Sequence, residues 1–153
     1  LIRNPTNFGT TTVASATTRR QLYAAVFSSV SGSFTADEEI NQASTGAVGK
    51  VIEYDSTNKL LFWYQTRFPD VGTDSDGNLT AFSGANAITG VSSSASATPL
   101  TSSSTDVNGV SITSGYSNPE LAYDSGDIIY VEERSPITRA SDQTENIKLI
   151  IEF

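Results

Sequence analysis

The chain has 153 residues and a mass of 16.2 kDa; 37% of it is hydrophobic, 17% is charged, 41 residues are Ser or Thr, and the formal net charge is −8. With neither His nor Cys, it cannot by itself build a Ser-His-Asp triad, a thiol nucleophile, a zinc finger, a haem site or a His-ligated metal site. Nine Lys and Arg against seventeen Asp and Glu give no clustered cationic surface, which excludes nucleic acid and anionic membranes as expected partners.

Leu1-Ile2-Arg3-Asn4-Pro5 lacks the apolar core of a signal peptide. No apolar run is long enough to cross a bilayer as a helix. Methionine is absent, position 1 included, so the chain is expected to be a fragment or the visible part of a longer one. Residues 1–18 are polar and Thr-rich, with Pro5 and Gly9 as breakers, and read as an extended arm or loop. Gln21 to Val30 is apolar enough for a strand or a short helix. Tyr23, Val26, Phe27 and Val30 approximate a helical stripe, but the aromatic and β-branched content and the flanking Ser and Gly favour a strand. In Phe34 to Ile40, Thr35-Ala36-Asp37-Glu38 has the spacing of a capping box; an acidic turn between strands is the preferred reading.

The clearest element is a hairpin. Lys50 to Tyr54 is the first strand, Asp55-Ser56-Thr57-Asn58 the turn, and Lys59 to Gln65 the return strand. Leu61, Trp63 and Gln65 share one face; Leu60, Phe62 and Tyr64 share the other. Both faces are apolar, which predicts burial on two sides or at an interface. Asp70 to Asn78 reads as a loop and Leu79 to Val91 as a short strand and turn. Phe34 and Ile40 echo Phe82 and Ile88 at the same spacing. Ser92 to Gly115 is dominated by Ser, Thr, Ala and Gly, and is either a flexible excursion or a set of short β-edges around Val107 to Ile112. Asp127 to Glu132 and Asn146 to Phe153 read as strong strands. With no long helical periodicity, the expected fold is all-β: a sandwich or partly open barrel of antiparallel strands with little helix.

Four groups could carry chemistry. Asp74-Ser75-Asp76-Gly77-Asn78 has the acidic opening of a calcium loop, but Leu79 and Ala85 stand where the Gly and the bidentate Glu belong. It reads as a solvated Asp/Gly turn. Asp37-Glu38-Glu39 and Glu132-Glu133 offer carboxylates, and a glycosidase would need two of them facing across a cleft. Adjacent acids on β-structure instead point apart or to water. Arg19-Arg20 is the one basic dipeptide, read as a solvated strand start or a salt-bridge donor to this acidic chain, the alternative being a contact to an acidic partner. Trp63, between Phe62 and Tyr64, is either core or interface, or a sugar-stacking platform; the first is the commoner use of strand aromatics. No catalytic, cofactor-binding or metal-binding residue is assigned, and no cofactor is expected.

The most specific stretch is the end. Ser125-Gly126-Asp127-Ile128-Ile129-Tyr130, then Glu133-Arg134-Ser135-Pro136-Ile137, then Asp142-Gln143-Thr144-Glu145-Asn146-Ile147, closing on an apolar run to Phe153, resembles the C-terminus of the dimeric baseplate wedge subunit of T-even-type contractile-tail phages. That family runs S-G-E-[MI]-I-Y, E-N-R-x-P-I, D-Q-T-E-x-I and a final strand ending in Phe. Glu133 stands where the family often has Asn. Ile2-x-Asn4-Pro5 is similar to the family's I-x-N-P segment, which in short forms is joined to S-G-E by a loop of a few tens of residues. Here more than a hundred intervene. Residues 1–18 and 118–153 are therefore read as the C-terminal wedge-subunit segment, and residues 19–117, with a Ser/Thr-rich stretch at 92–115, as an inserted β-domain.

Ile128 to Val131 and Ile147 to Ile151 can pair as neighbouring strands. Pro136 suits a connection or an edge, Asp142-x-x-Glu145 can cap one turn, and Arg134 can bind carboxylates or carbonyls. The resemblance implies a structural component of a phage tail baseplate wedge, not an enzyme, acting through subunit contacts in assembly and contraction. Its implied partners are other wedge subunits, with a homodimer as the full-length protein. Its implied location is the virion, and the host cytoplasm during assembly. The alternative is a receptor- or carbohydrate-binding module of a tail fibre or adhesin, with Trp63, Tyr64 or the Ser/Thr-rich loops at the site. Further expectations are that the terminal segments Ile2–Asn4 and Ile147–Ile151 lie side by side and that Trp63 is largely buried.

Overall fold

A computed structural model describes residues 1–18, 20–66, 72–122 and 125–133. Among them the chain forms strands β1 (Ile2–Arg3), β2 (Tyr23–Val26), β3 (Glu39–Gln42), β4 (Ala47–Asp55), β5 (Leu60–Tyr64), β6 (Ile88–Gly90), β7 (Ser96–Ala97), β8 (Asp106–Val107), β9 (Val110–Ser111), β10 (Tyr116–Ser117) and β11 (Asp127–Ile128). No described residue is helical. The all-β, antiparallel expectation holds. Gln21 to Val30 resolves to strand rather than helix, and 107–112 to short β-edges.

The β4–β5 hairpin nucleates a seven-stranded sheet in the order β10-β2-β5-β4-β3-β6-β7, with every neighbouring pair antiparallel. Its turn lies one residue later than the sequence indicated: β4 runs through Asp55 and β5 starts at Leu60. The Asp55 carboxylate fixes the turn by accepting from Thr57 N at 2.9 Å, Asn58 N at 3.0 Å and Asn58 Nδ2 at 2.6 Å. This is the local side-chain capping that makes Asp a turn residue.

The alternation read for β5 is what the sheet uses. Leu61 and Trp63 enter a core with Ala25, Phe27, Phe34, Ile40, Ala47, Val51, Phe82, Ile88, Ala95 and Ala97. On the reverse face, Leu60 joins Ala24, Val26, Val110 and Ile112, with Phe62 and Val107 packed alongside. The two-sided burial expected of this strand is therefore real. The β8–β9 hairpin supplies the cover for that second face. In β4 the register shifts between Val51 and Glu53, leaving Ile52 as an extra residue, 41% exposed. The bulge turns Tyr54, opposite Leu61, toward the larger core; simple alternation from Val51 would have sent it outward.

The sheet curls around the larger core. Two isolated bridges, Phe27↔Pro99 and Ser31↔Ser96, bring the chain around β7 back to the segment after β2. No continuous ladder joins them, so the sheet is sandwich-like and not closed into a barrel. Small inward residues make the tight curl possible. A Cβ on Gly49 would lie 2.7 Å from Trp63 Cδ1 and 3.2 Å from Phe82 Cε2, so the bare glycine is what lets the indole lie against β4. Trp63 is 1% exposed, as expected. It stacks on Tyr23 at 5.9 Å and meets Phe82 edge-on at 5.0 Å. The repeated Phe-to-Ile spacing has a structural counterpart. All four residues are buried in the same core, and β3, carrying Ile40, pairs with β6, carrying Ile88.

Two expectations need correction. Asp127 to Glu132 is not a full strand: only Asp127–Ile128 is assigned as one, because its one partner among the described residues is the two-residue β1. And the acidic turn at residues 35–38 does not point all its acids to water, as described below. The expectations for Arg19, Asp70, Arg134, Pro136, Asp142 to Glu145 and Asn146 to Phe153 lie outside the described residues.

Candidate subunit interface

β1 and β11 form a ribbon of their own, in register Ile2↔Ile128 and Arg3↔Asp127. The terminal amine of Leu1 donates to Tyr130 O at 2.6 Å and Ile129 N donates to Leu1 O at 2.9 Å. Gly126, at φ +88°, lets the strands approach: a Cβ there would come within 2.7 Å of Arg3 O and Ile2 Cγ2. Ile2–Arg3 thus lies beside Asp127–Ile128; the other expected neighbour, Ile147 to Ile151, lies outside the described residues.

The arm that follows β1 is tied to the sheet. Thr6 N donates to Ser125 Oγ at 3.0 Å, Ala122 N to Thr6 O at 2.9 Å and Phe8 N to Glu120 O at 2.8 Å. The Phe8 ring meets Tyr23 edge-on at 6.2 Å, so an aromatic ladder runs from arm to core. Arg20 fastens the other side. Its guanidinium donates to Ser117 Oγ at 2.8 Å, to Asn118 O at 2.7 Å and to Leu22 O, and its own N–H donates to Glu120 Oε2 at 3.0 Å. Burial draws the Arg20 pKa down while the Glu120 charge opposes that shift. The Arg20 side chain thus ties Leu22, Ser117 and Asn118 together through neutral acceptors, while Glu120 meets its backbone N–H.

What this frame presents is apolar. Leu1, Ile2, Ile128, Ile129, Tyr130 and Val131 are all more than half exposed, Val131 to 71%. Polar contacts rim the patch: Arg3 and Asp127 pair at 3.3 Å in full solvent, and Tyr130 Oη donates to Glu132 Oε2 at 3.2 Å. Leu1 O also accepts from Tyr130 N at 3.4 Å, so the pairing continues past the two assigned ladder positions. An exposed apolar surface of this kind is suited to receiving an apolar face from another chain.

The other sequence candidates serve the fold. Asp37 and Glu39 are exposed, but Glu38 is 4% exposed. Its carboxylate accepts from Thr35 N at 2.7 Å, Ser92 N at 3.2 Å, Ser93 N at 2.9 Å and Ser93 Oγ at 2.8 Å. Burial alone would raise its pKa; the bonds from Ser93, Thr35 and Ser92 outweigh that and hold it below the usual carboxylate range. The correction has a plain cause: the Ser-rich turn after β6 provides a nest of donors that only the folded chain brings to Glu38.

Gln42, also buried, saturates its amide. It donates to Asn86 O and Tyr116 Oη and accepts from Thr45 Oγ1 and Ser83 N. Asp74 Oδ1 accepts from Asp76 N at 3.0 Å and Asn78 N at 2.8 Å, the capping role of a turn aspartate. Among the described residues, no three acidic side chains gather to hold a metal. Trp63 forms no exposed aromatic shelf. An open cleft of about 360 Å³ beside β10 is lined by Ser111, Thr113, Tyr116, Ser117 and Asn118, and its tyrosine hydroxyl is already committed to Gly84 O.

Residues 57–153 match the family model described as Bacteriophage T4, Gp8. The chain belongs to this family of phage baseplate wedge proteins. The match contains all of Ser125 to Phe153, the stretch that carried the resemblance, and reaches back to the β4–β5 turn. No curated protein and no solved structure matches the chain. Membership gives the coarse role, a structural protein of the phage tail baseplate, and implies other baseplate subunits as partners. Sequence reasoning had the ribbon's strand in hand but missed its exposure. The run Ile128-Ile129-Tyr130-Val131 is apolar at every position, the pattern of a strand covered on both faces, so its exposure is not legible from the pattern alone.

Proposed function

We propose that this chain is a structural part of a contractile-tail baseplate wedge, working through contacts with other wedge subunits during assembly in the host cytoplasm and during sheath contraction. It performs no catalytic step and holds no cofactor or metal, and the full-length protein is a homodimer. The observation that carries the reading is the exposed apolar surface of the β1–β11 ribbon, set within the family match. We propose also that residues 19–117 are an inserted β-domain between the wedge segments 1–18 and 118–153. What supports this is that the seven-stranded sheet draws all its strands from Tyr23 to Ser117, while among the described residues β1 and β11 pair with each other and not with that sheet; the family match runs through 57–117 without a break, so the proposal rests on the strand pairing and not on the match.

The test is reconstitution with the other wedge subunits. Ile128→Asp with Val131→Asp is expected to abolish co-assembly while circular dichroism and thermal unfolding of the isolated protein stay as in the parent. Unimpaired incorporation of the double variant would remove the ribbon from the interface.

A further inference from the structure

β8 and β9 are joined by two residues, Asn108 and Gly109, with φ 48° and 77°, the left-handed pair of a type I′ turn. This is the only Asn-Gly step in the sequence. Every other asparagine precedes proline or a residue with a side chain. Both turn residues are exposed, and a Cβ built on Gly109 would meet nothing within 4 Å. Gly109 thus adds no side chain beside its own amide nitrogen, and beyond its two chain neighbours nothing crowds its Cα. The turn is also lightly held. Among the described residues, β8 and β9 pair only with each other, and Asn108 Nδ2 donates to Asp55 Oδ2 at 3.3 Å. A two-stranded element so bonded opens locally at little cost.

We propose that Asn108 is a site of spontaneous deamidation, with the Gly109 amide nitrogen as nucleophile and water as co-reactant. The Gly109 nitrogen gives its proton to a solvent base and bonds to Asn108 Cγ. The Cγ–Nδ2 bond breaks, and the side-chain nitrogen takes a proton from water and leaves as ammonia. The cyclic imide then takes up one water at either carbonyl and opens to aspartate or isoaspartate. No electrons are exchanged with another group.

The consequence follows from where the turn sits. A carboxylate replaces the amide that donated to Asp55, so an attraction between the β8–β9 and β4–β5 turns becomes a like-charge contact. Isoaspartate also lengthens the backbone by one carbon within a turn whose two residues must both be left-handed. Val107 and Val110 flank that turn, and with Ile112 they cover Ala24, Val26 and Leu60. Deamidation therefore loosens the lid over the second core as the protein ages.

The experiment is incubation of the purified protein in mildly alkaline buffer, followed by peptide mass mapping and isoaspartyl methyltransferase labelling. The expected result is conversion at Asn108 several-fold faster than at any other asparagine, with isoaspartate among the products. Asn108 remaining intact while other asparagines convert would overturn the proposal, as would conversion at an equal rate. The structural consequence is tested separately. Asn108→Asp is expected to lower the thermal midpoint at low salt and added salt to recover part of the loss by screening the exposed pair; an unchanged midpoint would overturn the loosened lid.

Discussion

Ile40 and Ile128 are both isoleucines in antiparallel strands, yet the first is fully buried and the second is 70% exposed. Ile40 lies in β3, with strands on both sides and a core beneath it. Ile128 lies in a ribbon of two strands, each two residues long. Two strands so short cannot by themselves hide their own side chains. The seven-stranded sheet is self-sufficient: its apolar residues find one another, its buried Glu38 and Gln42 are bonded, and small residues let it curl. Among the described residues the ribbon leaves its apolar side chains uncovered, which is why the proposed interface is placed there.

The comparison can be broken first at its strongest point. Trp63→Ala should cost on the order of 3–5 kcal/mol in denaturant unfolding, because the indole bridges Tyr23, Gly49 and Phe82. An unchanged midpoint would mean that the sheet does not depend on this core. Glu38→Ala should cost about 2–3 kcal/mol, since three backbone N–H groups lose a charged acceptor. The same carboxylate sets a pH dependence. Its folded pKa is depressed, so its contribution is complete above the unfolded value of about 4.3 and is lost as pH falls through the lower folded value. The parent's stability should fall in that acid window, and Glu38→Gln should flatten the fall; equal acid profiles for the two proteins would remove Glu38 from the account.

Gly49→Ala should follow, at about 1–3 kcal/mol of overpacking. Its origin is checked by the pair Gly49→Ala, Trp63→Phe: a smaller ring should recover part of the loss, and strict additivity of the two changes would deny the contact. The smallest effect on stability belongs to the ribbon. Val131→Ser in the isolated protein should change unfolding by no more than about 0.5 kcal/mol. A loss comparable to that of the sheet variants would show that the ribbon is already part of a core.

Much of this protein was legible in its residues. The β4–β5 hairpin, its two apolar faces and the absence of long helices follow from a period-two pattern and a turn of Asp, Ser, Thr and Asn, all local properties. The terminal motif was equally local, and it identified the family that residues 57–153 match. Other features depend on what meets what. The bulge at Ile52 redirects Tyr54 through the pairing of β4 with β5. Glu38 became a buried acceptor only because Ser92 and Ser93, more than fifty residues on, bring their N–H groups to it. The exposure of Ile128 to Val131 depends on how few strands surround them. Pattern along the chain records which residues can form a strand; burial and hydrogen-bond satisfaction are properties of neighbours, and neighbours distant in sequence are chosen only when the chain folds.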